Sequence, residues 1–171
     1  MITAPTIALA AILLFVAFMV AAGLMDLFTM TIRNTLVVAM LVLYAALAPL
    51  AGLGVAAIGA SVVVAVLVFV GGLLCFSFGW IGGGDAKLAV STVLWLGAEQ
   101  AFSYLMATAL FGGLLTLIIL AFRLIPLPAG LTGQIWLQRL HGKSTGVPYG
   151  VAMALGGLVV LPNSVWWAGV S

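Results

Sequence analysis

Charge is the scarcest property of this sequence. Among 171 residues, three are acidic and five are Lys or Arg. A soluble domain carries about 25% charged side chains, and eight charges do not cover a globule of this size. That excludes an ordinary soluble fold, and the high apolar content excludes disorder. The formal net charge of +2 is too small to mark a nucleic-acid surface. Cys75 is the only cysteine, so an internal disulfide and a Cys-rich zinc site are both excluded. It lies in an apolar run and reads as a small buried hydrophobe. The one histidine, His141, falls in a basic loop and reads as a solvated loop residue. No metal cluster is visible, and no metal or cofactor is expected. Alternation of apolar and polar residues is also absent, which argues against a transmembrane barrel.

What is present is apolar length: 66% of the residues are hydrophobic. Backbone in lipid must satisfy itself, so apolar runs of roughly 17–25 residues predict spanning helices. Six stretches qualify, near residues 5–25, 34–49, 55–78, 86–98, 101–122 and 149–168. The fourth is short unless it begins near Trp80. The expected fold class is all-α, a polytopic membrane protein built as a six-transmembrane-helix bundle, one domain over residues 1–171. No repeat or low-complexity linker divides it. The first run lacks a preceding Lys or Arg and is long for a signal peptide, so it is expected to be a retained helix. The pairs Gly71–Gly72, Gly112–Gly113 and Gly156–Gly157 mark expected helix-packing faces.

With six spans, Arg33, Lys87, Arg123, Arg139 and Lys143 all fall on one side, and Glu99 on the other. Positive residues gather in cytoplasmic loops. That side is therefore expected to be cytoplasmic, with both termini outside. The segment 123–148 is the only long polar loop. Pro126, Pro128, Gly130 and Gly133 break its first part. Then Ile135, Trp136, Leu137 and Leu140 beside Arg139 and Lys143 read either as a short interfacial helix on anionic lipid or as a plain loop with a snorkelling Trp.

Carboxylates at membrane depth are costly and point to function. Asp26 closes the first span, and Asp85 opens the fourth after Gly82-Gly83-Gly84. Two crossings separate them, so both lie on one face. Paired carboxyls sharing a proton can activate water and polarise a carbonyl. The glycines leave room for an extended peptide beside Asp85. The bland alternatives are an interhelical turn with Asp85 as N-cap, and a polar Asp26 that merely ends a helix. Lys87 either tunes Asp85 or snorkels. Asn34 either hydrogen-bonds near Asp26 or caps the second helix. Tyr149 either lines the site mouth or is an interfacial aromatic.

These residues also resemble a known family. Gly82-Gly83-Gly84-Asp85-Ala86-Lys87-Leu88 looks like the GxGD signature of the type IV prepilin peptidases. Asp26 with Ile32 and Asn34 resembles the family's first aspartate block, and Val147-Pro148-Tyr149-Gly150-Val151-Ala152 resembles a third. The absence of a cysteine-rich zinc region resembles the short TadV/CpaA-like branch of tight-adherence pili. The resemblance implies aspartic-type cleavage by Asp26 and Asp85 and gives no ground for methyl transfer. It implies a prepilin substrate with a basic leader, a glycine at the cleavage site and a hydrophobic helix. It further implies a bacterial or archaeal plasma membrane, lipid contact, and pilus assembly machinery as a partner. One position departs: where the family usually has proline after Ile32, Arg33 stands here.

Three rival readings differ in class. A proton-coupled transporter also uses intramembrane carboxylates, but places them near the midplane. A non-catalytic assembly subunit would be indifferent to both aspartates. A presenilin-type GxGD protease shares the chemistry without the other two blocks.

Overall fold

The structure is a computed structural model, and it describes residues 3–127, 130, 133–142 and 145–167. Pro128, Lys143 and Ala168, each used in the sequence reading, lie outside the described residues. Among the described residues there is no strand. Seven α-helices follow in order among these residues: α1 (Ala4–Thr29), α2 (Asn34–Leu50), α3 (Val55–Ser77), α4 (Gly83–Leu96), α5 (Ala101–Phe122), α6 (Ile135–His141) and α7 (Tyr149–Val160). By length and hydropathy, α1, α3 and the run Ala98–Phe122 are able to cross a membrane, while α2 and Tyr149–Asn163 are shorter apolar helices.

Local chemistry sets the ends. Thr3 donates its backbone N–H to Thr6 Oγ1 at 3.0 Å, and Pro5 sits in the first turn of α1, where no N–H partner is needed. Asp26 does not end α1; the helix runs on to Thr29 and stops at Met30, held at φ 55°. Glycines 83 and 84 do not precede α4 but form its first turn, with Gly82 as N-cap. Gly97, at φ 95°, ends that helix at Leu96, two residues earlier than expected. α4 is thus 14 residues long, about 21 Å. The last helix is also shorter than expected. It stops at Val160 and passes into a 3₁₀ turn, Leu161–Asn163, where Pro162 has no N–H to continue the ladder.

Helix α7 packs against α1, α4 and α5, and α4 packs against α2, α3 and α7. Four of the six paired glycines behave as packing residues. An added Cβ at Gly156 would lie 2.6 Å from Thr108 Oγ1, and one at Gly157 3.0 Å from Met19 Sδ. Gly72 faces Ala86, and Gly112 faces the phenol of Tyr149. Gly71 and Gly113 face open space instead. Consecutive helical residues point about 100° apart, so one of a pair packs while its neighbour turns away. Cys75 is half-buried on α3 rather than fully buried, because only Ser61 and Ala65 of that helix are enclosed.

The core centres on Trp95, which is fully buried. The rings of Phe15, Phe18, Tyr44 and Trp166 surround it at centroid distances of 5.9, 6.1, 6.2 and 5.4 Å. Its Nε1–H donates to Met40 O at 2.9 Å, and Trp166 Nε1–H donates to Trp95 O at 2.7 Å. Trp95→Ala is therefore expected to cost about 3–5 kcal/mol, read as a lowered melting temperature in detergent. Trp95→Phe should cost less, because it keeps an aromatic ring and loses the bond to Met40 with only part of the indole's volume.

The bundle has two chemically different ends. One carries Asp26, Asp85, Arg33, Lys87, Arg123 and Arg139. At the other, Leu53, Glu99 and Asn163 meet in a cavity of about 380 Å³. The segment with Trp136 is a helix, not a plain loop. It docks on the end of α1: Trp136 meets Phe28 edge-on at 5.4 Å, and Arg139 Nη1 donates to Thr29 O at 3.5 Å. His141 is not a solvated loop residue either. It is half-buried, its Nε2 bonds Ile125 O at 2.8 Å, and its ring stands edge-on to Phe122.

Candidate active site

A cavity of about 430 Å³ opens at the charged end of the bundle. Asp26 and Asp85 both line it, together with Gly82, Gly83 and Gly84, the turn Met30–Thr31–Ile32, and Gly146–Val147. Each wall has a local cause. Met30 accepts the left-handed conformation and donates its N–H to Asp26 O at 2.8 Å, which turns the chain back sharply after α1. Thr29 Oγ1 fastens that turn through Met25 O at 2.6 Å and Thr31 Oγ1 at 2.8 Å. The returning Ile32 packs on Gly84, whose added Cβ would lie 3.4 Å from Ile32 Cβ.

Asp85 stands in the first turn of α4, so it is not that helix's N-cap. Its carboxylate folds back over Gly82, where an added Cβ would lie 3.0 Å from Oδ2. Asp26 is 6% exposed. Its Oδ2 accepts the backbone N–H of Gly150 at 2.6 Å, across 124 residues of sequence. An added Cβ at Gly150 would come within 2.8 Å of Asp26 Cβ and 2.9 Å of Oδ2. Only glycine lets α7 approach this close.

A second cavity of about 630 Å³ shares Gly82, Asp85, Gly146 and Val147 with the first, and adds Trp80, Thr116 and Tyr149. Tyr149 therefore reaches the Asp85 side of the site. Asn34 and Lys87 line neither cavity. They meet each other instead, Lys87 Nζ donating to Asn34 Oδ1 at 3.1 Å. Asn34 does not cap α2 either, because Arg33 holds the N-cap position.

Sequence reasoning gave no role to Gly146, Val147 or the N–H of Gly150. The third block, which contains Val147 and Gly150, was the one signal that could have found them. Arg33 fits a proline's place physically, because its φ of −69° lies in the range a pyrrolidine ring imposes. Arg33→Pro is accordingly expected to fold, with stability unchanged or raised by about 0.4–1 kcal/mol. Melting of the purified variant checks this, and a large loss would show that the arginine side chain is needed.

Apolar helices with two carboxylates lining one cavity place the chain in a class: membrane proteins that carry acidic residues in a cavity at one end of the bundle. The chain belongs to the type IV leader peptidase family, whose model matches residues 13–120. Both aspartates fall within that match, while Gly146–Gly150 lie beyond it. Comparison with curated proteins and with solved structures returned no match.

Proposed function

We propose that this chain is a membrane-embedded aspartyl endopeptidase that removes the basic leader of prepilins, with Flp-like pilins of tight-adherence pili as the preferred class. The observation that carries the reading is the shared cavity of Asp26 and Asp85. One carboxylate, ionised, takes a proton from water as its oxygen attacks the scissile carbonyl carbon. The other, protonated, donates to the carbonyl oxygen. The tetrahedral species collapses as the new amine takes the proton held by the first carboxyl, the C–N bond breaks, and the proton on the former carbonyl oxygen returns to the second carboxyl, restoring the pair's starting state. Gly82, Gly83 and Gly84 leave room for an extended peptide beside Asp85, and Tyr149 borders its approach.

The topology proposed with it has six spans, both termini outside and the aspartate end in the cytoplasm. A leader with positive charges stays on that side, so its junction with the hydrophobic helix meets the cavity without crossing lipid. The transporter reading is disfavoured because the carboxylates sit at one end of the bundle. Co-expression with leader-bearing pilins, followed by mass spectrometry of the pilin N-terminus, tests the proposal. Loss of the leader at a glycine is the expected result. Intact leaders across several pilins, with the peptidase present in the membrane, would overturn it.

A further inference from the structure

Arg123 lies at the C-terminal end of α5, outside both aspartate cavities. Topology alone gives it only a place in the charge bias. The structure shows a more specific use. Its Nε–H donates to Leu140 O at 2.8 Å. Its Nη2 donates to Thr145 O at 2.9 Å, to Gly146 O at 3.1 Å and to Thr145 Oγ1 at 3.4 Å. One guanidinium thus gathers three backbone carbonyls from the end of α6 and from the irregular stretch before α7. Thr145 Oγ1 tightens the same turn by donating to Gly142 O at 2.6 Å and to Arg139 O.

The carbonyls of Thr145 and Gly146 lead into the segment that builds the third wall of the site, and that of Leu140 ties it to α6. Gly146 and Val147 line both cavities, and Gly150, four residues after Gly146, supplies the N–H on Asp26. We infer that Arg123 is a positioning residue, a clamp whose bonds to Leu140, Thr145 and Gly146 hold the Gly146–Gly150 segment against Asp26 and Asp85. The planar fork of arginine presents five donors at fixed angles, and a lysine ammonium does not reproduce that spread. Charge alone is therefore not enough at this position. The clamp's effect on cleavage rests on the peptidase reading; its effect on the segment does not.

The test uses full-length Arg123→Lys and Arg123→Ala in detergent, each checked for melting temperature. The first readout is amide hydrogen exchange over residues 145–150, which needs no substrate. Exchange there should accelerate about tenfold or more in both variants, with α1–α4 unchanged, since hydrogen bonds to charged groups are among the stronger ones. The second is cleavage of a leader peptide. The kcat of Arg123→Lys should fall about tenfold to a hundredfold, with KM within about twofold. Added ethylguanidinium should restore Arg123→Ala, and ethylammonium should not. Wild-type exchange in the segment of Arg123→Lys would overturn the clamp, whatever the wild type does to peptides. So would wild-type kcat in that variant. If wild type cleaves no leader but exchange rises as expected, the peptidase reading fails and the clamp stands. If Arg123→Lys does not fold, guanidinium-dependent recovery of Arg123→Ala in both readouts decides: recovery supports the clamp, and none refutes it.

Discussion

Asp85→Asn and Asp26→Asn are each expected to leave a folded protein that cleaves at least about 10³-fold more slowly than wild type. The magnitude follows from losing a positioned proton-transfer group, and from each group being useless without its partner. Asparagine matches the shape of aspartate, so packing around the cavity persists. Asp26→Asn keeps an oxygen that is able to accept the Gly150 N–H, now held at 2.6 Å. Its loss of activity would therefore report on the carboxyl itself and not on the helix contact. Product formation on a gel measures both variants, with membrane level and melting as controls. Retained cleavage in either would separate peptidase activity from the paired-acid mechanism.

Gly150→Ala carries the second large effect. The methyl would sit 2.8 Å from Asp26 Cβ and 2.9 Å from Oδ2, on a helix that is also packed on α4 and α5. Either α7 moves out or the Asp26 side chain rotates, and both lengthen the hydrogen bond from Gly150 N–H to Asp26 Oδ2. Overpacking of this kind costs about 1–3 kcal/mol, and a misplaced carboxylate about 10² in rate. Gly113→Ala is the internal control. It lies mid-helix on α5 with open space at its Cβ. Relieving a helical glycine there should raise stability by up to about 1 kcal/mol, with cleavage unchanged. Equal behaviour of the two variants would mean that the Gly150 contact is not a constraint.

How much of this was legible in advance depends on what sets each feature. Helix positions were, because lipid-compatible backbone must be helical and apolar length marks the runs. The starts of α2, α3, α5 and α7, at Asn34, Val55, Ala101 and Tyr149, follow from that alone. The start of α4 was misread by three residues, since glycine is a weak helix former but tolerated in a first turn whose N–H groups have no partner anyway. That Asp26 and Asp85 lie at one end follows from counting crossings. Their meeting in one cavity does not, because α1 and α4 are brought together through α7, which packs on both. Such a contact has no signature in local spacing. Asn34 and Lys87 show the converse. Lys87 stands two residues after Asp85 and Asn34 eight after Asp26, yet they pair with each other and leave the cavity alone. Arg123 was readable only as a charge, since its use depends on carbonyls 17 to 23 residues further on.

In the proposed mechanism Asp26 and Asp85 work as one unit. The most direct measurement is the leader-cleavage rate of wild type, Asp26→Asn, Asp85→Asn and the double variant, each normalised to folded protein. If the two carboxyls share one step, the double variant is no slower than either single variant, within about threefold. Losses that multiply, or a single variant that cleaves at the wild-type rate, would mean that the two carboxyls do not share a step.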